Sequence, residues 1–136
     1  MSLRELLVDT DILSALMRRN RNVGAGAAPY LAQYGHLSFS IITKYEILRG
    51  LNIKDAKKQS TAFEQFCEKN KIVQITDDVV SQAARIYADL YKRGELIGDA
   101  DILIAASALV NGLGVVTNNE RHFTRIAKLH VENWQK

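Results

Sequence analysis

The sequence predicts an α/β fold: a single three-layer domain with a mostly parallel central sheet flanked by helices. Three observations carry that prediction. Short apolar runs such as Leu6-Leu7-Val8 and Val115-Val116-Thr117 look like strands buried on both faces. Segments with apolar residues three and four apart, the helical spacing, lie between them. No hairpin dipeptide joins consecutive strands, so the connections must be helical crossovers. A length of 136 residues suits one domain with its own core. No internal repeat or shift in composition divides it, so the domain spans residues 1–136.

Along the chain, Leu6-Leu7-Val8 predicts the first strand, and Ile12, Leu13, Leu16 and Met17 take helical spacing after it. Residues 18–26, basic and then glycine-rich, read as a loop. Residues 27–34 follow as a short helix, with Pro29 tolerable in its first turn. Leu37, Phe39 and Ile41 alternate with Ser38 and Ser40, the period of a strand. Residues 42–51 predict a helix closed near Gly50, and 54–69 a polar-faced helix with Ala62, Phe63 and Phe66 inward. Ile72, Val73 and Ile75 form a third strand. Val79, Ala83, Ile86, Tyr87 and Leu90 describe a helix, with Gly94 placed at its C-terminus. Residues 100–110 are apolar nearly all round and form a buried helix ending at Asn111-Gly112. Val115-Val116-Thr117 is a buried strand, and Leu129 and Val131 belong to a last edge strand.

Composition narrows the function classes. Hydrophobic residues make up 47% and charged residues 24%, ordinary values for a globular chain. One proline and eight glycines exclude collagen-like or low-complexity character. The longest nearly apolar stretch, residues 102–110, is far short of the roughly 18 to 20 residues that cross a bilayer. Arg4 and Glu5 precede a short apolar burst with no small-residue cleavage site behind it, so neither a leader nor a membrane role is expected. The lone Cys67 excludes a disulfide framework and a multi-cysteine zinc site. It reads as a small buried hydrophobe in a reducing, cytoplasmic setting. A net charge of +3 and a pI near 9.1 permit an anionic partner without requiring one. The basic residues gather at Arg18, Arg19 and Arg21, at Lys54, Lys57 and Lys58, and at Arg121 and Arg125.

The acids are more informative. Asp9 follows the first strand directly, and Glu46 lies in the first turn of the helix after the second. Asp99 and Asp101 open the buried helix, and Asn118-Asn119 follow Val115-Val116-Thr117. In an open parallel sheet, ligands bind outside the carboxyl ends of the strands. Asp9, Glu46 and Asn119 converge there if their strands are neighbours, with Asp101 facing the same crevice. Two unit charges about 4 Å apart repel by roughly 4 kcal/mol at an effective dielectric near 20, a cost that a divalent cation reverses. Magnesium and manganese favour oxygen ligands, and such a cation activates water and stabilises charge developing on a phosphate. An all-oxygen site, poor in histidine and free of cysteine, suits phosphodiester hydrolysis.

Each acid also admits a structural role. Asp9 or Thr10 can cap the first helix. Thr43-Lys44-Tyr45-Glu46 fits a capping box in which Glu46 reaches back to the Thr43 amide. Asp99 after Gly98 reads as the cap of the buried helix, whereas a second acid, Asp101, within so apolar a first turn needs a partner. Of His36, His122 and His130 only His122 falls near these acids, and it reads as a surface histidine. Neither a GxSxG elbow nor a glycine-rich phosphate loop is present.

The ordered segments LLVDTDIL, SIITKYEILRG, GDADILIAASAL and GVVTNNERHF closely resemble the PIN-domain family, and more narrowly its VapC-type toxins from toxin–antitoxin modules. The resemblance runs over residues 6–134, in the family's order. It implies a PIN-like fold and an endoribonuclease that uses Mg2+ or Mn2+ bound at the sheet's carboxyl edge. Asp9 falls on the family's first acid, Glu46 on the glutamate of its Thr-x-x-Glu segment, Asp101 on the acid before Ile-Ala-Ala, and Asn119 on a fourth position that is Asp or Asn. These four are the implied catalytic residues, with Asp9, Asp101 and Glu46 as metal ligands and Asp99 as an additional candidate. Thr117 and Asn118 stand beside them as helpers. Asp11 departs from the asparagine more usual at its position and adds a charge.

RNA is the implied substrate, with Arg18, Arg19 and Arg121 as candidate contacts to its backbone. A cognate antitoxin and homodimer formation also follow from the resemblance. Two alternatives remain at the level of sequence. One is a haloacid-dehalogenase-like phosphatase using Asp9 and Asp11, which Leu13 disfavours because that family usually carries threonine there. The other is a non-catalytic binding module whose acids only cap helices.

Overall fold

A computed structural model describes residues 2–136. The chain runs β1 (Leu6–Val8), α1 (Thr10–Met17), α2 (Arg21–Tyr34), β2 (Ser38–Ser40), α3 (Ile41–Ile53), α4 (Lys57–Glu68) and β3 (Lys71–Val73). It continues through α5 (Asp77–Lys92), α6 (Asp99–Val110), β4 (Gly114–Val116), α7 (Glu120–Phe123) and β5 (Val131–Glu132). Every strand pair is parallel. β4 lies between β1 and β5, with Leu7 opposite Val115 and Val8 opposite Val116. β2 pairs with β3, Phe39 opposite Ile72, as a separate ribbon lying alongside β1. The expected single sheet is therefore two parallel ribbons set side by side.

The pleat explains the three layers. Successive side chains of a strand point to opposite faces. Leu7 and Val115 pack on one side against α5, α6 and α7, through Leu90, Ile104 and Phe123. Leu6, Val8 and Val116 pack on the other against α1, α2 and α4, through Leu13, Tyr30 and Phe63. β1, β2 and β4 carry so little amphipathic signal because all three residues of each are buried. Among the described residues no helix is long and apolar enough to cross a membrane.

Several local expectations are corrected. Residues 18–26 are not a loop throughout: α1 ends at Met17 with Arg18 as its C-cap, Arg19 turns left-handed (φ 61°), and α2 starts at Arg21. The Asn20 side chain caps it by accepting from the Val23 amide at 3.1 Å. Gly50 lies inside α3, which runs to Ile53, and the helix expected over 54–69 begins only at Lys57. The second strand ends at Ser40, because the Ser40 hydroxyl accepts from the Ile42 amide and opens α3 there. That cap removes the capping box as the reason for Glu46, since Thr43 is already helical. Gly98, rather than Asp99, is the cap of α6, with no side-chain hydrogen bond. Cys67 is buried as expected.

Candidate active site

The strand ends bring the acids together. Asp9 caps α1 at the end of β1: its Oδ1 accepts from the Thr10 amide at 2.8 Å and its Oδ2 from the Thr117 hydroxyl at 2.7 Å. Thr117, fully buried at the end of β4, in turn accepts from the Asn119 amide at 2.9 Å. On the other side the Thr10 hydroxyl donates to Glu46 Oε1 at 2.6 Å and lies 3.0 Å from Thr43 Oγ1, whose own hydrogen completes that pair. Asp101, in the first turn of α6, has Oδ2 2.9 Å from His122 Nδ1 and 3.5 Å from Asn119 Nδ2. Asp9, Glu46, Asp101 and Asn119 are thus joined to one another's neighbourhood by threonines and a histidine. Asp99 is exposed and stands outside these contacts. Arg18, Arg19 and Arg121 are exposed as well.

Charge is concentrated where water is scarce. Asp9 is only 5% exposed. Burial first, and then the neighbouring charges of Asp11 and Asp101, push its pKa up to about 7, against the pull of the Thr117 and Thr10 donors. Asp11 is also raised, chiefly by burial, although its Oδ2 accepts from the Asn118 amide at 3.1 Å. Its Oδ1 is buried with no hydrogen-bond partner. Among the described residues no three Asp, Glu, His or Cys side chains are gathered tightly enough to hold an ion between them. The donors nonetheless fit an oxygen-preferring cation in kind. They are carboxylates and an amide, two of the carboxylates are raised by burial, and one buried oxygen lacks a partner. A bound cation would offset all three costs.

A groove of about 620 Å³ leads away from Thr10 and Glu46 between α1, α3 and α4. Ile47, Leu51 and Phe63 line it, as do Arg18 and Lys54. Arg18 therefore shares a cleft with Glu46, a placement its sequence neighbours could not reveal.

Sequence reasoning missed His122 as a member of the site. Its signal was the spacing Asn119-x-x-His122, which puts two side chains on one face of a turn of helix. α7 is only four residues long and has no periodicity of its own to read. Thr10 and Thr43, considered only as caps, prove to be the link between Asp9 and Glu46.

The sequence model of the PIN domain matches residues 6–129. Over 97% of its length the chain is 32% identical to ribonuclease VapC1 of Methanocaldococcus jannaschii, covering 88% of that protein. It is 36% identical to ribonuclease VapC2 of Haemophilus influenzae over 74% of the chain and 76% of that relative. Among solved structures, VapBC2 from Rickettsia felis, bound to a DNA fragment from its promoter, superimposes with a TM-score of 0.83 at 25% identity. That match covers 95% of this chain and 98% of that one. Neither the phosphatase nor the binding-module alternative has comparable support. With the parallel strands, the acids at their carboxyl ends and these matches together, the chain belongs to the PIN domain family.

Proposed function

We propose that the chain is a divalent-metal-dependent endoribonuclease, the toxin of a toxin–antitoxin pair. The observation that carries this reading is the pairing of buried Asp9 with half-buried Asp11, both raised chiefly by burial, with one Asp11 oxygen left unpartnered. Such a charge cluster costs folding energy and calls for a cation. The relatives named above as ribonucleases supply the substrate class. The VapBC neighbour supplies the antitoxin partner. Pairing of two copies of the chain comes with the resemblance.

Asp9 and Asp101 would hold Mg2+ or Mn2+, with Asp101 favoured over the exposed Asp99 as the direct ligand. When bound, the cation would supply an activated water and neutralise charge on the scissile phosphate. The protein's own part is positioning. The Thr10 hydroxyl fixes one Glu46 oxygen and leaves the other free to accept a proton from the attacking water. Thr117 holds Asp9 and Asn119 in register from a single buried hydroxyl. Arg18, Arg19 and Arg121 bind the RNA backbone, which gives affinity without base choice. The groove past Glu46 carries the strand towards Arg18.

Total RNA incubated with antitoxin-free protein in Mg2+, in Mn2+ and in EDTA tests the reading, alongside D9N and D101N. Discrete fragments are expected only from wild type with metal, and each variant should lose at least about a hundredfold in rate. RNA left intact by folded, antitoxin-free wild type in both metals would overturn it.

A further inference from the structure

The contacts around Asp101 assign a role to a residue outside the four site positions. His122 and Asn119 stand three apart across α7, and both reach Asp101 on α6. A solvated surface histidine has no need to bring one ring nitrogen within 3 Å of two groups on different elements. Here Nδ1 lies 2.9 Å from Asp101 Oδ2 and 2.7 Å from Asn119 Nδ2.

One nitrogen has one hydrogen or one lone pair, and that decides the arrangement. A bare Nδ1 could accept from the Asn119 amide, but its lone pair would then face the carboxylate oxygen. As Nδ1–H it donates to Asp101, and the Asn119 amide turns its oxygen to the same hydrogen. With Asp101 ionised, only the second state makes the 2.9 Å contact between the ring and Asp101 attractive, and it does so by giving up the long 3.5 Å contact of Asn119 Nδ2 to the same carboxylate. The element that carries the ring is itself fixed. Phe123, the next residue, is fully buried, and Asn133 Nδ2 donates to Glu120 Oε2 at 3.0 Å at the start of α7.

We propose that His122 is a positioning residue of the acidic centre: its Nδ1–H holds Asp101 Oδ2 and so orients that carboxylate. The proposal rests on the metal-dependent ribonuclease reading. Carboxylates that ligate metals are themselves held by outer hydrogen bonds, and loss of such a partner typically costs 10- to 100-fold in metal affinity or activity.

H122A, H122N and H122Q in antitoxin-free protein provide the test. Asparagine keeps a nitrogen donor at the δ position where Nδ1 stands, whereas glutamine moves it one atom out. Manganese affinity is read by calorimetry without RNA, and kcat and KM on RNA are measured separately. H122A and H122Q should each lose about 10- to 100-fold in manganese affinity and in kcat, with KM within about twofold. H122N should return to within about threefold of wild type. Should alanine unfold the chain, the contrast between H122N and H122Q still decides. An H122A that binds manganese and turns over like wild type overturns the assignment, as does an H122N no better than H122Q. Wild type that neither binds manganese nor cleaves RNA would instead overturn the ribonuclease reading on which the proposal rests.

Discussion

Asp9 carries two duties that oppose one another. As the cap of α1 its carboxylate accepts from Thr10, which stabilises the fold. As a buried charge beside Asp11 it destabilises the same fold, and its pKa stands at about 7 rather than near 3.8. An acid whose folded pKa is raised contributes stability that is complete below its unfolded value and is lost as pH rises through the folded one. Without metal, D9N should therefore melt above wild type at pH 8, by about 5–10 °C, for a relief on the order of a few kcal/mol. The gap should shrink towards zero as pH falls to about 4. Thermal melts in EDTA across that range check the point, and a gap independent of pH would mean that Asp9 is not strained by its charge. The same substitution abolishes activity in the proposed mechanism, so stability and function pull apart at one atom pair.

At the scale of the element, α2 shows how tertiary contact overrides local preference. Gly24 and Gly26 both lower its intrinsic helicity. They are not equivalent. A Cβ on Gly24 would meet nothing within 4 Å, while one on Gly26 would stand 2.5 Å from Trp134 Cγ. Trp134 is buried and packs 5.7 Å from the Tyr30 ring, fastening the end of the chain to α2. G24A should stabilise by up to about 1 kcal/mol through helix propensity. G26A should destabilise by about 1–2 kcal/mol, because overpacking against the root of an indole outweighs the same gain. Urea titration of both variants tests this, and a stabilising G26A would show that the indole moves aside freely. The glycine-rich run made residues 18–26 look like a loop because glycine's propensity is visible in sequence, whereas the indole it accommodates lies 108 residues further along.

Across the whole molecule, the two parallel ribbons bring their carboxyl ends to one edge, so residues far apart in sequence share a site. The groove that Glu46 lines is also lined by Arg18, and Arg19 follows it in a left-handed turn. R18E/R19E should weaken RNA binding by about tenfold or more at low salt, with the difference narrowing as salt rises. Each lost phosphate contact should reduce the log–log salt slope by about 0.7. Fluorescence anisotropy with single-stranded RNA measures both quantities, and unchanged affinity would remove this pair from the RNA path.

Much of this was legible before any coordinates. Apolar runs, helical spacing and the positions of Asp9, Glu46, Asp101 and Asn119 at strand ends and helix starts depend on local pattern, which sequence carries directly. Division into two ribbons, the Thr10 and Thr117 links, the Asp101–His122 contact and the exposure of Asp99 depend on which elements become neighbours. Those features were decided by burial of both faces of very short strands. The packing of the helices sets distances of a few ångströms between groups up to 108 residues apart, as between Asp9 and Thr117. Sequence therefore determined the chemical kinds of group at the carboxyl edge, and tertiary structure decided which of them touch, because hydrogen bonds and charge act through space rather than along the chain.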